Sequence, residues 1–242
     1  MTTEPKAWES VLARIEERLV DGRLRPGDHL PPERALAAEF GVARSSVREA
    51  VRVLEAMGLI RTQTGSGPSS GAIIIARPQG GMEALMRLQV AASGFPVADV
   101  VSTRLLLESS VAGELAGHSP VDLADARQLL DAMDEPALTA PEFLALDARF
   151  HLALAEAAGN AVVATMMAGL RNSIEGYVLA GAERIPDWDA MAARLRAEHR
   201  GVIDAIDAGD PAAAHTRIHD HISGYYRDAR TLSPSDPITD AR

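Results

Sequence analysis

Hydrophobic positions recur along this chain mainly at helical spacing. Val11, Ile15 and Leu19 are four residues apart and predict an amphipathic helix over 7–21. The segment Leu24-Arg-Pro-Gly-Asp28 reads as a turn. Pro31-Pro32-Glu33 opens a short helix that runs to Phe40 and ends at Gly41. A third helix begins at Ala43-Arg44, runs to Met57 and stops at Gly58. With Arg44 at 0° and about 100° per residue, Val47, Ala50, Val51, Leu54 and Met57 fall between about 220° and about 340°. Arg44, Arg48, Arg52 and Ser45 share the opposite side, between 0° and about 100°.

Two helices joined by a tight glycine-containing turn form the helix-turn-helix pattern. The following Leu59–Ala76 segment predicts a hairpin whose second strand is the β-branched run Ala72–Ala76. Arg77–Gly81 is the one plausible linker. Beyond it the apolar spacing predicts helices over 82–93, 97–116, 121–134, 140–157, 160–180, 188–208 and 211–230. Their breaks coincide with Gly94/Pro96, Pro120, Pro136, Gly159-Asn160, Pro186 and Gly209-Asp210-Pro211. The tail 231–242 carries Pro234 and Pro237 with few apolar residues and is expected to be disordered. The expected organisation is a DNA-binding unit over 1–76, a linker over 77–81 and a helical domain over 82–230. The fold class is mainly α: a winged helix-turn-helix followed by an antiparallel all-α bundle.

Charge changes the picture only when it is divided. The 242 residues carry a formal net charge of −10, which alone argues against a nucleic-acid partner. Residues 1–76, however, hold ten basic and ten acidic side chains, so the whole surplus of acid lies beyond them. An N-terminal DNA reader is therefore allowed if its arginines share a face. There is no cysteine, which excludes disulfides, thiolate metal sites and thiol nucleophiles. No apolar run approaches the roughly 18–20 residues of a membrane helix. Residues 1–20 are charged and amphipathic, with no secretory core, so the cytoplasm is the expected compartment.

The helical half places charge where apolar residues are expected. In helix 140–157, Phe143, Leu146, Phe150 and Leu154 form the stripe. With Phe143 at 0°, Asp147 falls at about 40° and His151 at about 80°, four residues apart at the edge of the core. His199 sits mid-stripe among Leu195, Val202, Ile203 and Ile206. The last helix offers His215, His219 and His221, and periodicity does not choose between His215 and His221. An inward carboxylate is costly unless paired or metal-bound. Neutral imidazoles with one carboxylate suit a divalent ion such as zinc, nickel or manganese. Helix 97–116 adds Arg104 and Glu108 inside its own stripe. Either they form an i,i+4 pair, or Arg104 enters the pocket to hold a carboxylate ligand. Asn172 and Tyr177 are further lining candidates.

From Leu24-Arg-Pro-Gly-Asp through Pro32-Glu-Arg-Ala-Leu-Ala-Ala-Glu-Phe-Gly-Val-Ala-Arg-Ser-Ser-Val-Arg to Met57-Gly-Leu-Ile60, the sequence resembles the winged helix-turn-helix of GntR-family bacterial transcription regulators. By that resemblance the DNA-contacting positions are Arg34, Arg44, Ser46 and Arg48, with a wing tip at Thr64–Gly67 that includes Gly65 and Gly67. Pro32 stands where the family usually has a capping serine, and the wing is longer and richer in glycine and serine. The segments Asp147–Asn160, Glu198–Asp210 and His221-Ile222 resemble the FCD ligand-binding domain of the FadR subfamily. That resemblance implies metal ligands Asp147, His151, His199 and His221, and an effector site including Arg104 and Asn172.

Together these readings imply a homodimeric regulator, expected to be a repressor and not an enzyme. Its expected partners are operator DNA and a small carboxylate effector, with no membrane. Two alternatives compete with this reading. An acyl-CoA effector would require an apolar pocket, whereas four polar ligand positions are intact. A metal-dependent hydrolase would need a general base, and Glu156 and Glu198 lie in no motif that places one.

Overall fold

The computed structural model describes residues 6–63, 71–75, 80–92, 94–118 and 120–229. The chain divides into two compact units, Met1–Met82 and Glu83–Arg242. The wing tip with Gly65 and Gly67, most of the expected linker and the tail from Thr231 lie outside the described residues.

In the first unit, α1 (Ala7–Val20) packs on α3 (Arg44–Ala56), which packs on α2 (Glu33–Phe40). Of the predicted stripes, Val11, Ile15, Val47, Ala50 and Leu54 are buried and Leu19 and Val51 half-buried, and α2 adds Leu36 and Phe40 to the core. Met57 is an exception, 51% exposed just past the end of α3, where the backbone leaves the helical phase. The guanidinium groups of Arg14 and Arg18 lie 5.1 and 4.7 Å from the Phe40 ring centre, and Arg14 Nη1 donates to the Phe40 carbonyl at 3.0 Å. These contacts hold α2 against α1. Gly41 ends α2 with φ 65°, a left-handed backbone that disfavours side chains.

β1 (Ile60–Gln63) and β2 (Gly71–Ile74) form the hairpin, with Ile60 opposite Ile74 and Gln63 opposite Gly71. The segment before α2 joins it: Leu30 N–H donates to Ala72 O at 2.8 Å, and Ile74 N–H to Asp28 O at 2.9 Å. The residues after the expected turn thus form a third edge of the sheet, which the hydrophobic pattern did not predict.

The second unit contains α4 (Gly81–Ala91, which begins just before the division), α5 (Val97–Gly117), α6 (Ala124–Met133), α7 (Ala140–Ala157), α8 (Ala161–Ala182), α9 (Trp188–Asp207) and α10 (Pro211–Asp228). The starts of α7 to α10 are set by side chains that accept orphan backbone N–H groups. Thr139 and Glu142 form a capping box at α7, and Asn160, Asp187 and Asp210 cap α8, α9 and α10. Each such cap contributes about 1 kcal/mol. α5 is the central helix, packed on α7, α8, α9 and α10. Its buried face carries Val101, Leu105, Ala112 and Leu115, and also Arg104 and Glu108. Among the described residues no helix is long and apolar enough to cross a membrane.

Candidate functional site

The first candidate surface lies on α2 and α3. Arg34, Arg44, Ser45, Arg48 and Arg52 are exposed and Ser46 is half-buried. α3 starts at Arg44 after Ala43, whose side chain caps nothing, and α2 starts after Pro32, which likewise lacks a cap. Arg48 is held by Glu33 on α2, through Nη2 to Oε2 at 3.1 Å and Nε to both carboxylate oxygens at 3.3 Å. The cation central to the predicted face is therefore tethered across the helix pair by Glu33.

The second candidate is buried in the helical unit. Asp147 and His151 project from successive turns of α7, His199 from α9 and His221 from α10. All four are buried, and one ligand atom from each lies within 4.8 Å of the others. Asp147 Oδ1 is 3.0 Å from His199 Nε2, 3.6 Å from His151 Nε2 and 3.8 Å from His221 Nε2. His221 Nε2 is 3.2 Å from His151 Nε2 and 3.1 Å from His199 Nε2. His215 is exposed and His219 half-buried beside Asp220, so the last helix contributes His221.

The outer contacts decide which ring nitrogens carry protons. His221 Nδ1 lies 2.8 Å from Glu198 Oε2, and an ionised carboxylate only accepts, so the proton is on Nδ1. His151 Nδ1 lies in close contact with a Glu108 carboxylate oxygen. The Nε2 atoms of His151 and His221 face each other across 3.2 Å. That contact is repulsive unless a cation or proton lies between them. Burial, followed by the charge of His221, lowers the His199 pKa to about 3, and burial also lowers that of His221. Burial would raise the Asp147 pKa, but the Arg171 cation and the surrounding imidazoles hold it well below the usual carboxylate range. The set is a carboxylate with three imidazoles, of which His199 and His221 resist protonation, and it fits a divalent cation.

One cavity adjoins this cluster and is lined by Asp147, His151, His221, Tyr225 and Tyr226, among others. A second, larger one lies beside the first and is lined by Ala145, Ala148, Asn172, Glu175 and Leu179, among others. Arg104, Leu144, Arg171 and Val178 border both. Arg104 Nε donates to Glu108 Oε1 at 2.8 Å and its Nη1 to Tyr226 Oη at 2.6 Å. Arg171 Nη2 donates to Asp147 Oδ2 at 2.5 Å.

Comparison with known proteins now bears on both surfaces. Residues 8–68 match the family described as bacterial regulatory proteins, gntR family, and residues 99–224 match the FCD domain. The chain belongs to the GntR family. It is similar to the HTH-type transcriptional regulator LutR of Bacillus subtilis (strain 168), 31% identical over 223 residues, covering 86% of this chain and 97% of LutR. It is also similar to the HTH-type transcriptional repressor NanR of Citrobacter rodentium, 30% identical over 230 residues, covering 90% and 83%. Among solved structures it resembles Streptococcus agalactiae GntR, with TM-score 0.64 and 26% identity, covering 91% and 99%. The pairing of a GntR reader with an FCD domain is the FadR-type arrangement, and the relatives are DNA-binding regulators, not enzymes.

In this GntR-family chain, the cluster unites Asp147, His151, His199 and His221, the set that the FCD resemblance implied. Arg104 forms the i,i+4 pair with Glu108, and it also borders the cavities. Asn172 borders the larger cavity, with its Nδ2 donating to Glu83 at 2.8 Å. Tyr177 is 46% exposed and lines neither cavity. Sequence reasoning missed Arg171 and Tyr226, and it gave Glu198 no structural part. Arg171 carried a readable signal. With Met167 at 0°, Ile174 falls at about 340°, Val178 at about 20° and Arg171 at about 40°, within the apolar stripe.

Proposed function

We propose that this GntR-family regulator is a homodimeric repressor whose operator affinity is controlled by a small carboxylate bound at a metal-containing pocket. The carrying observation is the convergence of Asp147 Oδ1 with three imidazole Nε2 atoms, two of them with a carboxylate beside the opposite nitrogen. Asp147, His151, His199 and His221 would hold a zinc, nickel or manganese ion. Such an ion offers an oxygen donor a Lewis-acid position. Arg104 and Asn172 line the adjoining space and complete the effector site in this reading. The charged lining favours an anion of a few carbons, such as a hydroxy acid, sugar acid or dicarboxylate, over a long acyl chain.

On the DNA side, Arg34, Arg44, Ser46 and Arg48 are the proposed contacts, with Gly65 and Gly67 at the wing. Arginine's fork suits guanine edges or phosphate, and uncapped helix starts leave backbone N–H groups for phosphate oxygens. One such helix gives a small interface, so two copies related by symmetry would read a two-fold operator. The NanR relative is named a repressor, which supports the sign proposed, while another relative is named the Glc operon transcriptional activator. Native mass spectrometry of the purified protein, followed by operator binding with and without small acids, tests the reading. One metal per chain, a dimer, and release of operator DNA by an acid are expected. A metal-free protein whose operator affinity no acid changes would overturn it.

A further inference from the structure

We propose that Arg171 is the anion-selecting residue of this pocket and that the effector is a small dicarboxylate. The inference rests on the metal-and-carboxylate reading above and narrows it. Of the two guanidinium groups bordering both cavities, Arg104 has two nitrogens engaged, by Glu108 and Tyr226. Arg171 spends one on Asp147, and its Nε and Nη1 are buried with no hydrogen-bond partner among the described residues. Buried polar groups are nearly always satisfied, and an unsatisfied charged donor is costly. Arg171 therefore has N–H groups available for a ligand, and Arg104 is the better-anchored wall.

Charge then fixes the class of ligand. Among the buried groups, the cations Arg104 and Arg171 face two carboxylates, Glu108 and Asp147, and the four cancel. Glu198, partly exposed beside Arg194, and Glu175, exposed at the lining of the larger cavity, are screened by solvent and lie outside this buried balance. Imidazoles that ligate a metal are neutral. A divalent ion would thus leave two uncompensated positive charges in a buried site, which is strongly unfavourable. It would also draw on Asp147, the one carboxylate paired with Arg171. An occupant with two negative charges restores balance. Because Arg171 borders the cavities on both sides, those charges are best carried on two groups, one carboxylate toward the ion and one toward the unpartnered N–H groups.

The test uses two four-carbon α-hydroxy acids that differ in one end. Malate has a second carboxylate where 2-hydroxybutyrate has a methyl. Calorimetry on the metal-loaded full-length protein should give at least ten-fold tighter binding for malate. Arg171→Gln should bring that ratio close to one with metal content retained, and 2-hydroxybutyrate affinity should change far less than malate affinity. Arg171→Lys keeps the charge without the fork and should retain an intermediate preference. It also serves as the informative variant if Arg171→Gln does not fold. Equal binding of the two acids to the wild type, or an unchanged ratio in the Arg171 variants, overturns the inference and leaves the carboxylate reading standing. If neither acid binds while metal and operator binding are normal, the inference and that reading fall together.

Discussion

Glu198 Oε2 accepts the Nδ1 proton of His221 at 2.8 Å, and Glu198 is itself held by Arg194, which reaches on to Asp228 at 2.6 Å. A chain of charges thus runs from the end of α10 to the ring whose other nitrogen faces the cluster. Carboxylates in this position fix the tautomer and raise the basicity of the ring. Glu198→Gln is expected to weaken metal affinity about 10–100-fold without altering helical content. Competition with a metal-binding dye would measure it, and an unchanged affinity would show that His221 needs no such orientation.

The ligand set itself predicts a sharp contrast along α10. His199→Ala and His221→Ala should each lose bound metal, whereas His215→Ala and His219→Ala should keep one ion per chain. The exposure of His215 and the placement of His219 beside Asp220 are the basis. Elemental analysis of the four purified variants decides it. Metal lost from His215→Ala but not from His221→Ala would reverse the assignment.

Acid should destabilise the metal-free protein before its carboxylates titrate. His199 has a folded pKa of about 3 against an ordinary 6.5, so between those values the unfolded chain binds the extra proton. Stability is full above pH 6.5 and falls as pH drops toward 3, by at most about 1.4 kcal/mol per pH unit for this one group. His221, also lowered, acts in the same sense. Thermal melts between pH 7 and 5 should show a falling Tm whose slope is reduced in His199→Gln. A flat wild-type profile would contradict the burial argument.

Arg104→Ala leaves Glu108 buried beside His151 without its guanidinium partner. Removing one member of a buried pair typically costs about 3–5 kcal/mol. Burial alone would raise the Glu108 pKa, and Arg104 foremost, with His151, holds it well below the usual range. The expected result is a large stability loss that the double variant Arg104→Leu/Glu108→Leu partly restores. Chemical denaturation of the metal-free proteins would reveal it, and a stable Arg104→Ala protein would mean that Glu108 finds its charge balance elsewhere.

On the DNA side, Arg44→Ala and Arg48→Ala should each weaken operator binding about ten-fold or more while leaving folding intact. Glu33→Gln should strengthen it several-fold, because it releases Arg48 and removes a carboxylate from the surface proposed to meet phosphate. Operator titrations at several salt concentrations would separate these effects. Weaker binding by Glu33→Gln would show that the tether positions Arg48 for contact.

Much of the architecture could be read from spacing alone because its signals are local. Apolar residues at helical intervals, with glycine, proline and capping side chains at the breaks, placed α7 at its observed limits of 140 and 157. His199 was legible for the same reason, a polar side chain in mid-stripe. The relation of Arg48 to Glu33 was not, because it joins residues 15 apart on two helices whose crossing no periodicity encodes. The edge formed by residues 28–30 escaped for a related reason. Its hydrogen bonds to 72 and 74 are made by backbone, which carries no sequence signature. His215 and His221 could not be separated by angle, since both flank the same stripe and only the packing of α10 distinguishes them. Arg171 obeyed the rule that had singled out Arg104, and applying it to α8 would have found it.

The spacing of 104 and 108 on α5, and of 147 and 151 on α7, ties the pocket to chain length. Each pair shares a face because its members are one turn apart. A single residue inserted between 104 and 108 would swing Glu108 by about 100° away from His151. The same change in α7 would part Asp147 from its histidine. Lineages carrying this domain can therefore explore new effectors by exchanging lining side chains at constant length. Insertions and deletions should then be tolerated only at the joints between helices, and the pocket's diversity should be written in point substitutions.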